Sequence, residues 1–407
     1  MEMKVTDGSN GKGGGAMATG LPFPPQYGSE LLVIRSGKGV WLEDAAGKKY
    51  LDFAGGIAVN ALGYGRADLA RTVARQMRKL PHISNLFTTE PALELARTIL
   101  AHQPGRFASV FFGNSGTEAN EAALKYARLF AYRTRGAGHE KLLCFSGAFH
   151  GRTLGSLSCT PSPKYQDPYA PLLPGVVVAP FNDPAALEKT LTDEFAGVIV
   201  EVVQGEGGLA GMTAEFARAL NEACARTGAV LVADEVQTGM GRTGTFYASD
   251  GIGLKPDLVT LAKPLGGGLP LSAVLIPEKI NAVIHASDHG TTFGGGPVTT
   301  AVAKKVWDTV SQPAFIRHVQ EMGEVLGRGL EAVKAACPRK VGELRGKGML
   351  RGFEYTGGEV KELLDALRAR GMLALRSGTN VIRIAPPLVI TEKEIQIGIR
   401  ILKEALT

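Results

Sequence analysis

Two apolar runs, each handing over one charged residue, constrain this chain more than any other feature. Ala229-Val230-Leu231-Val232-Ala233 ends at Asp234, and Leu258-Val259-Thr260-Leu261-Ala262 ends at Lys263, just before Pro264 and a Gly266-Gly267-Gly268 turn. Runs without polar alternation read as strands buried on both faces of a parallel sheet. In an open α/β sheet the carboxyl ends of such strands face the binding crevice. A carboxylate and a lysine are therefore expected at one crevice.

The rest of the pattern agrees with an α/β chain. At 407 residues it is long enough for two domains. Strand-like runs at 108–112, 141–145, 175–178, 197–203 and 271–276 alternate with helical patterns, which predicts a mainly parallel sheet in a large domain. From about Val298 the pattern changes to long helices and short strands near 349–355, 372–375 and 381–384, which reads as a smaller α+β domain. The segment 39–53 resembles a hairpin that packs on it. The expected division is a flexible tail over residues 1–20, a small-domain segment at 21–57, the large domain at 58–297 and the rest of the small domain at 298–407. Met17 could serve as an alternative start.

Composition excludes several classes. The net charge of +6 is spread rather than clustered, so no nucleic-acid partner is implied. No stretch is long and apolar enough for a membrane span, and the Gly-rich first residues lack the apolar segment of a secretory signal. Cys144, Cys159, Cys224 and Cys337 show no paired spacing, which points to a reducing cytoplasm and no structural metal.

Three further motifs sit at strand ends. In Asn114-Ser115-Gly116-Thr117-Glu118-Ala119-Asn120, Ser115 and Glu118 form a capping-box pattern at a helix start, whose free N–H groups and dipole suit a phosphate; the Ser115 and Thr117 hydroxyls are extra donors. Phe149-His150-Gly151-Arg152 offers a ring to stack on a flat cofactor and a guanidinium with the fork geometry for a carboxylate. His150 reads as an orienting residue ahead of a general base. Glu201 to Gly207 brings two acids without metal-ligand spacing, better suited to pairing with a substrate-binding arginine. A lysine for a Schiff base, a carboxylate for a pyridine nitrogen and a phosphate-binding helix start are together what pyridoxal 5'-phosphate (PLP) requires.

These motifs, with Asp234-Glu235-Val236-Gln237-Thr238-Gly239 and Lys263, resemble the class III aminotransferases, PLP-dependent enzymes of fold type I, in the family's order. Gly55-Gly56-Ile57-Ala58-Val59-Asn60, Ser84-Asn85-Leu86-Phe87 and Ile382-Arg383-Ile384-Ala385-Pro386-Pro387 look most like acetylornithine aminotransferases. The resemblance implies that Lys263 carries the Schiff base and moves the proton, and that Asp234 pairs with the ring nitrogen. Gln237 lies near the phenolic oxygen, Phe149 and Val236 sandwich the ring, and Ser115, Gly116 and Thr117 hold the phosphate. Thr292 is supplied from the other subunit, which makes the expected assembly a homodimer with shared sites. The expected reaction moves the terminal amino group of N-acetylornithine, or a close acyl-ornithine, to 2-oxoglutarate in arginine biosynthesis. Arg152 would hold the remote carboxylate, Arg383 the α-carboxylate of glutamate, and Glu206 would pair with Arg383 when that carboxylate is absent, because an unpaired buried charge is costly.

The chain departs from the family's usual pattern at Tyr64, Thr88 and Gly296, where histidine, tyrosine and asparagine are common in relatives. Other ω-aminotransferases, acting on ornithine, γ-aminobutyrate or a protected lysine, an aminomutase, and a silent PLP- or nucleotide-binding module are the competing readings. The glycine turn after Lys263 lacks the Gly-x-Gly-x-x-Gly spacing of a nucleotide site, and a silent module has no need of the lysine.

Overall fold

The computed structural model describes residues 4–6, as backbone, and residues 15–407. By its internal contacts the chain forms two units, Ala67–Val319 and a second made of Met1–Arg66 with Gln320–Thr407.

The Ala67–Val319 unit is built on a seven-stranded sheet. Its strands run across the sheet in the order Ser109–Gly113, Ser272–Ile276, Leu258–Leu261, Val230–Asp234, Phe195–Val200, Lys141–Phe145, Val176–Ala179. The last five pair in parallel. Ser272–Ile276 is antiparallel to both of its neighbours, so Ser109–Gly113 again points the same way as the other five. Six carboxyl ends therefore share one edge of the sheet. That edge receives the turn to Ser115, the loop to Phe149 and Arg152, Glu201, Asp234 and the turn to Lys263.

Burial explains the apolar runs. Every residue of Phe195–Val200, Val230–Asp234, Leu258–Leu261 and Ser272–Ile276 is buried, as strands covered on both faces must be. The helix Gly116–Arg135 presents Ala119, Ala122, Ala123, Ala127 and Ala131 to a core shared with Leu142, Ile199, Val230, Val232 and Leu258. These small residues recur at the helical period along one face, which lets that helix lie close to the sheet.

The other unit holds three small sheets. One, in the order Val341–Lys347, Leu350–Tyr355, Val381–Ile384, Leu375–Ser377, is antiparallel throughout. Val341–Lys347 is not apparent in the sequence because it is an edge strand with one partner, whose glycines and charged residues leave no apolar alternation. In the second, the hairpin Trp41–Asp44 with Lys49–Asp52 pairs in parallel with Met372–Leu373. Here Tyr64 donates to Asp52 Oδ2 at 2.6 Å and accepts from Asn60 Nδ2 at 3.1 Å.

The expected flexible tail needs correction where it is described. Met17–Thr19 is the middle strand of a three-stranded sheet between Lys4–Thr6 and Leu31–Leu32. Ala16 and Ala18 are buried, and the Ala16 N–H donates to Asp44 Oδ2 at 3.0 Å. Small residues and glycines suggest a loose segment by composition, yet the same small residues fit closely against a neighbouring strand. Residues 1–3 and 7–14 of that expected tail lie outside the described residues.

Candidate cofactor and substrate site

The site begins at the start of the helix Gly116–Arg135. Ser115 is its N-cap and the capping box with Glu118 is formed in both directions. The first N–H groups of the helix, at Gly116 and Thr117, have no intrahelical acceptor and are of the kind that suits an anion. A side chain at Gly116 would bring its Cβ to 2.6 Å from Val236 Cγ1, so only glycine lets the Asp234 loop close on this turn. Thr117 plays a different part from an extra hydroxyl donor. Its Oγ1 accepts from the Arg152 and Thr153 N–H groups, each at 3.2 Å, and lies 2.7 Å from Thr153 Oγ1. Thr153 Oγ1 gives its one proton to Glu121, so Thr117 donates to Thr153 and is left with its backbone N–H for a phosphate.

Asp234, at the end of its strand and 4% exposed, is the hub. Its Oδ2 accepts from Asn120 Nδ2 at 2.7 Å and faces His150 Nδ1 at 2.8 Å, while Oδ1 accepts the Val236 N–H at 3.0 Å. Asn120 also donates to the His150 carbonyl at 2.7 Å and accepts from Thr260 Oγ1 at 2.8 Å. Burial opposes a charge on His150, but the bond to Asp234 and the charges of Asp234 and Glu201 outweigh it and hold its pKa above the ordinary value. The His150 ring thereby faces Asp234 through a buried, charge-assisted contact.

The residues fit PLP. A carboxylate has about four lone-pair positions, and Asp234 uses three of them within the protein. The remaining position is what a protonated pyridine nitrogen needs, and the two free N–H groups of the Ser115 turn are what a phosphate needs. Val236, against that turn, and half-buried Phe149 flank the same edge. When bound, the cofactor supplies an aldehyde to carry an amino group and a ring to withdraw electrons.

Lys263 follows Leu258–Leu261, whose Thr260 is in register with Asp234. Its φ is +29°, outside the ordinary range for a residue with a side chain. Such strain persists where the surroundings over-determine the backbone, and it collects at functional positions. Here Pro264 and the left-handed Gly267 fix the turn, and a Cβ at Gly267 would stand 2.9 Å from Val306 Cγ2.

Glu201 joins two loops of the site with one carboxylate. Oε1 accepts the Phe149 N–H at 2.9 Å and Oε2 the Gly205 N–H at 3.2 Å. Burial drives its pKa up. Gly205 in turn allows Gln237 to approach, since a Cβ there would lie 2.2 Å from Gln237 Oε1. Glu206 is half-buried in the same loop. Thr292 is exposed and lines a cavity of about 390 Å³ with Gly113, Asn114, Glu118 and His289. Arg383 belongs to the other unit, in Val381–Ile384, where it is 3% exposed.

Asn120 and Thr260 lie within motifs that the sequence reveals, but their parts at the site are visible only in the structure. An asparagine inside a helix breaks local preference, and a hydroxyl inside a fully buried strand interrupts an apolar run; those were the available signals.

Comparison with known proteins agrees with this geometry. The family described as Aminotransferase class-III matches residues 23–406. A probable mitochondrial acetylornithine aminotransferase of Dictyostelium discoideum is 45% identical over 92% of this chain and 83% of its own length. Acetylornithine aminotransferase of Neisseria meningitidis is 43% identical over 91% of this chain and 93% of its own. Among solved structures, a transaminase from the marine bacterium Virgibacillus superposes with a TM-score of 0.89 at 27% identity, over 95% of this chain and 96% of that one. Ornithine aminotransferase from Toxoplasma gondii gives 0.87 at 27% identity, over 92% and 90%. With Asp234, Lys263 and the Ser115 turn at one sheet edge, the chain belongs to the class III aminotransferases and is a PLP-dependent enzyme of fold type I.

Proposed function

We propose that this enzyme moves the terminal amino group of N-acetylornithine, or of a close acyl-ornithine, to 2-oxoglutarate, giving N-acetylglutamate semialdehyde and glutamate in arginine biosynthesis. The observation that carries the reading is Arg152, an exposed guanidinium anchored beside Phe149 that makes no ion pair among the described residues. It suits a substrate whose carboxylate lies remote from the reacting amine, as in both the donor and glutamate. The names of the relatives at 39–45% identity support the donor's identity.

In this reading Lys263 Nζ moves the proton at the amine-bearing carbon, Asp234 holds a proton on the ring nitrogen, and Gln237 serves the phenolic oxygen. Arg383 serves the α-carboxylate of glutamate, and Glu206 serves the donor, whose reacting amine has no carboxylate beside it. The test is single-turnover spectroscopy of each half-reaction with N-acetylornithine, N-succinylornithine, ornithine and γ-aminobutyrate as donors. Arg383→Ala should damage the glutamate half most, by about 2–5 kcal/mol, and Glu206→Gln the terminal-amine half. Equal losses in both halves would reject this division of labour, and a preference for γ-aminobutyrate would reject the donor.

A homodimer with shared sites is part of the same proposal. Leu86, Phe87 and Phe293 are 89%, 66% and 65% exposed. Asn85 Nδ2 ties their two segments by donating to the Thr291 and Gly294 carbonyls at 2.8 and 3.0 Å. An apolar cluster beside Thr292 is what a second copy would cover. Mixing an inactive Lys263→Ala subunit with an inactive Thr292→Ala subunit should restore activity at the one site of the heterodimer with both residues intact. A fully active monomer would reject shared sites. The four cysteines are all buried and unbridged, which supports the proposed reducing, cytoplasmic setting.

A further inference from the structure

We propose that Tyr165 sets the affinity for the remote carboxylate by holding the Arg152 guanidinium flat, with Phe149 as a second ring contact. The Arg152 guanidinium carbon lies 3.6 Å from the centroid of the Tyr165 ring and 5.7 Å from that of Phe149. Both lie within cation–π range, and the first places the guanidinium carbon at van der Waals distance over the ring.

The turn that carries Tyr165 is anchored to the segment that carries Arg152. Tyr165 sits in the short helical turn Pro163–Gln166, where its N–H donates to the Ser162 carbonyl at 2.8 Å. Gln166 Nε2 donates to the Leu157 and Ser158 carbonyls at 2.9 and 3.2 Å. Those carbonyls belong to Leu154–Ser158, which begins two residues after Arg152. Arg152 itself is fixed through its N–H to Thr117 Oγ1. Ring and guanidinium are thus held by hydrogen bonds on either side of one short helix.

Stacking suits this task better than an ion pair would. A carboxylate partner would neutralise Arg152 and compete with the substrate, whereas a ring face restrains the guanidinium without consuming its charge. The five N–H groups point out of the edges of the plane, so a ring on the face leaves the fork open for bidentate binding. Tyr165 is therefore a positioning residue that acts through Arg152 on both half-reactions. The inference rests on the reading that Arg152 takes the remote carboxylate.

The test compares Tyr165→Leu, Tyr165→Met, Tyr165→Phe and Arg152→Ala as holoenzymes. Glutarate binding is measured by calorimetry, and KM and kcat are measured for N-acetylornithine and glutamate separately. The expected result for Tyr165→Leu and Tyr165→Met is a roughly 3- to 30-fold rise in the glutarate Kd and in both KM values, the range a cation–π contact spans. The kcat should stay within about two-fold, because this contact restrains a binding group and not the reacting atoms. Tyr165→Phe keeps the ring and should restore the parent values. An unchanged glutarate Kd in the Leu and Met variants overturns the proposal, as does a Phe variant as impaired as Leu, or a loss confined to kcat with an altered cofactor spectrum. If Arg152→Ala weakens glutarate while Tyr165→Leu does not, only the role of Tyr165 fails. If Arg152→Ala leaves glutarate binding intact, the assignment of Arg152 fails and the proposal with it.

Discussion

The two ends of this site are held in opposite ways. Around Asp234, hydrogen bonds from Asn120, His150 and Val236 converge on one buried carboxylate from a helix, a loop and the residue two places on. Around Arg152, ring faces restrain an exposed guanidinium and leave its charge unneutralised. The difference teaches where rigidity is needed. The carboxylate proposed to face the cofactor is wired and dry, while the guanidinium proposed to take two different carboxylates is positioned but not paired.

That contrast predicts losses of kcat on the buried side and losses of KM on the exposed one. Removing Lys263 should give the largest effect. Lys263→Ala should keep the fold and the phosphate contacts yet lose turnover by several orders of magnitude, because the attachment point and the proton carrier vanish together. Steady-state rates at saturating substrate check this, and near-native turnover would sink the assignment. Asp234→Ala should come next, with kcat down about 10²–10³-fold, the usual size for removing one electrostatic stabiliser. Full activity would mean that another group protonates the ring nitrogen.

The pH dependence of stability examines the buried side independently of turnover. Glu235 accepts from the Ala248 and Ser249 N–H groups and from Ser249 Oγ, and burial against these bonds pushes its pKa up from 4.5 to about 7. Folded protein therefore binds this proton more tightly than unfolded protein. The contribution is full below the unfolded pKa and falls as pH rises through the window to about 7. Over that window it amounts to about 3 kcal/mol, at roughly 1.36 kcal/mol per pKa unit. Glu235→Gln should remove this slope, so its thermal midpoint should gain on the parent between pH 4.5 and 7. Parallel midpoint curves would show that Glu235 has the same pKa folded as unfolded.

The smallest effect separates wiring from chemistry. Asn120→Ala removes one of three bonds to Asp234 and leaves Thr260 and the His150 carbonyl without that partner. Turnover should fall about tenfold, with a destabilisation of about 1–3 kcal/mol from the buried groups left unsatisfied. If Asn120→Ala were instead to raise KM alone, the contrast between the two ends would break.

Legibility in the sequence follows the same division. The strands delivering Asp234 and Lys263 were readable because burial on both faces leaves a continuous apolar run. The Ser115 and Glu118 cap was readable because its partners lie three residues apart. The edge strand Val341–Lys347 was not, since an edge strand broken by glycines and charges looks like a loop. The strand at Met17–Thr19 was hidden by small residues that composition alone reads as a tail.

Sequence by itself determined which groups could do the chemistry, because a lysine, a carboxylate and a helix start each announce themselves through local pattern. Only the tertiary structure decided how those groups are tuned. Asn120 reaches Asp234 across 114 residues and Thr260 reaches Asn120 across 140. The strained φ of Lys263 depends on a turn packed against Val306, and the ring over Arg152 comes from a separate helical turn. Such contacts have no local period, since they arise from the order in which strands lie in the sheet and from which loops that order brings to a common edge.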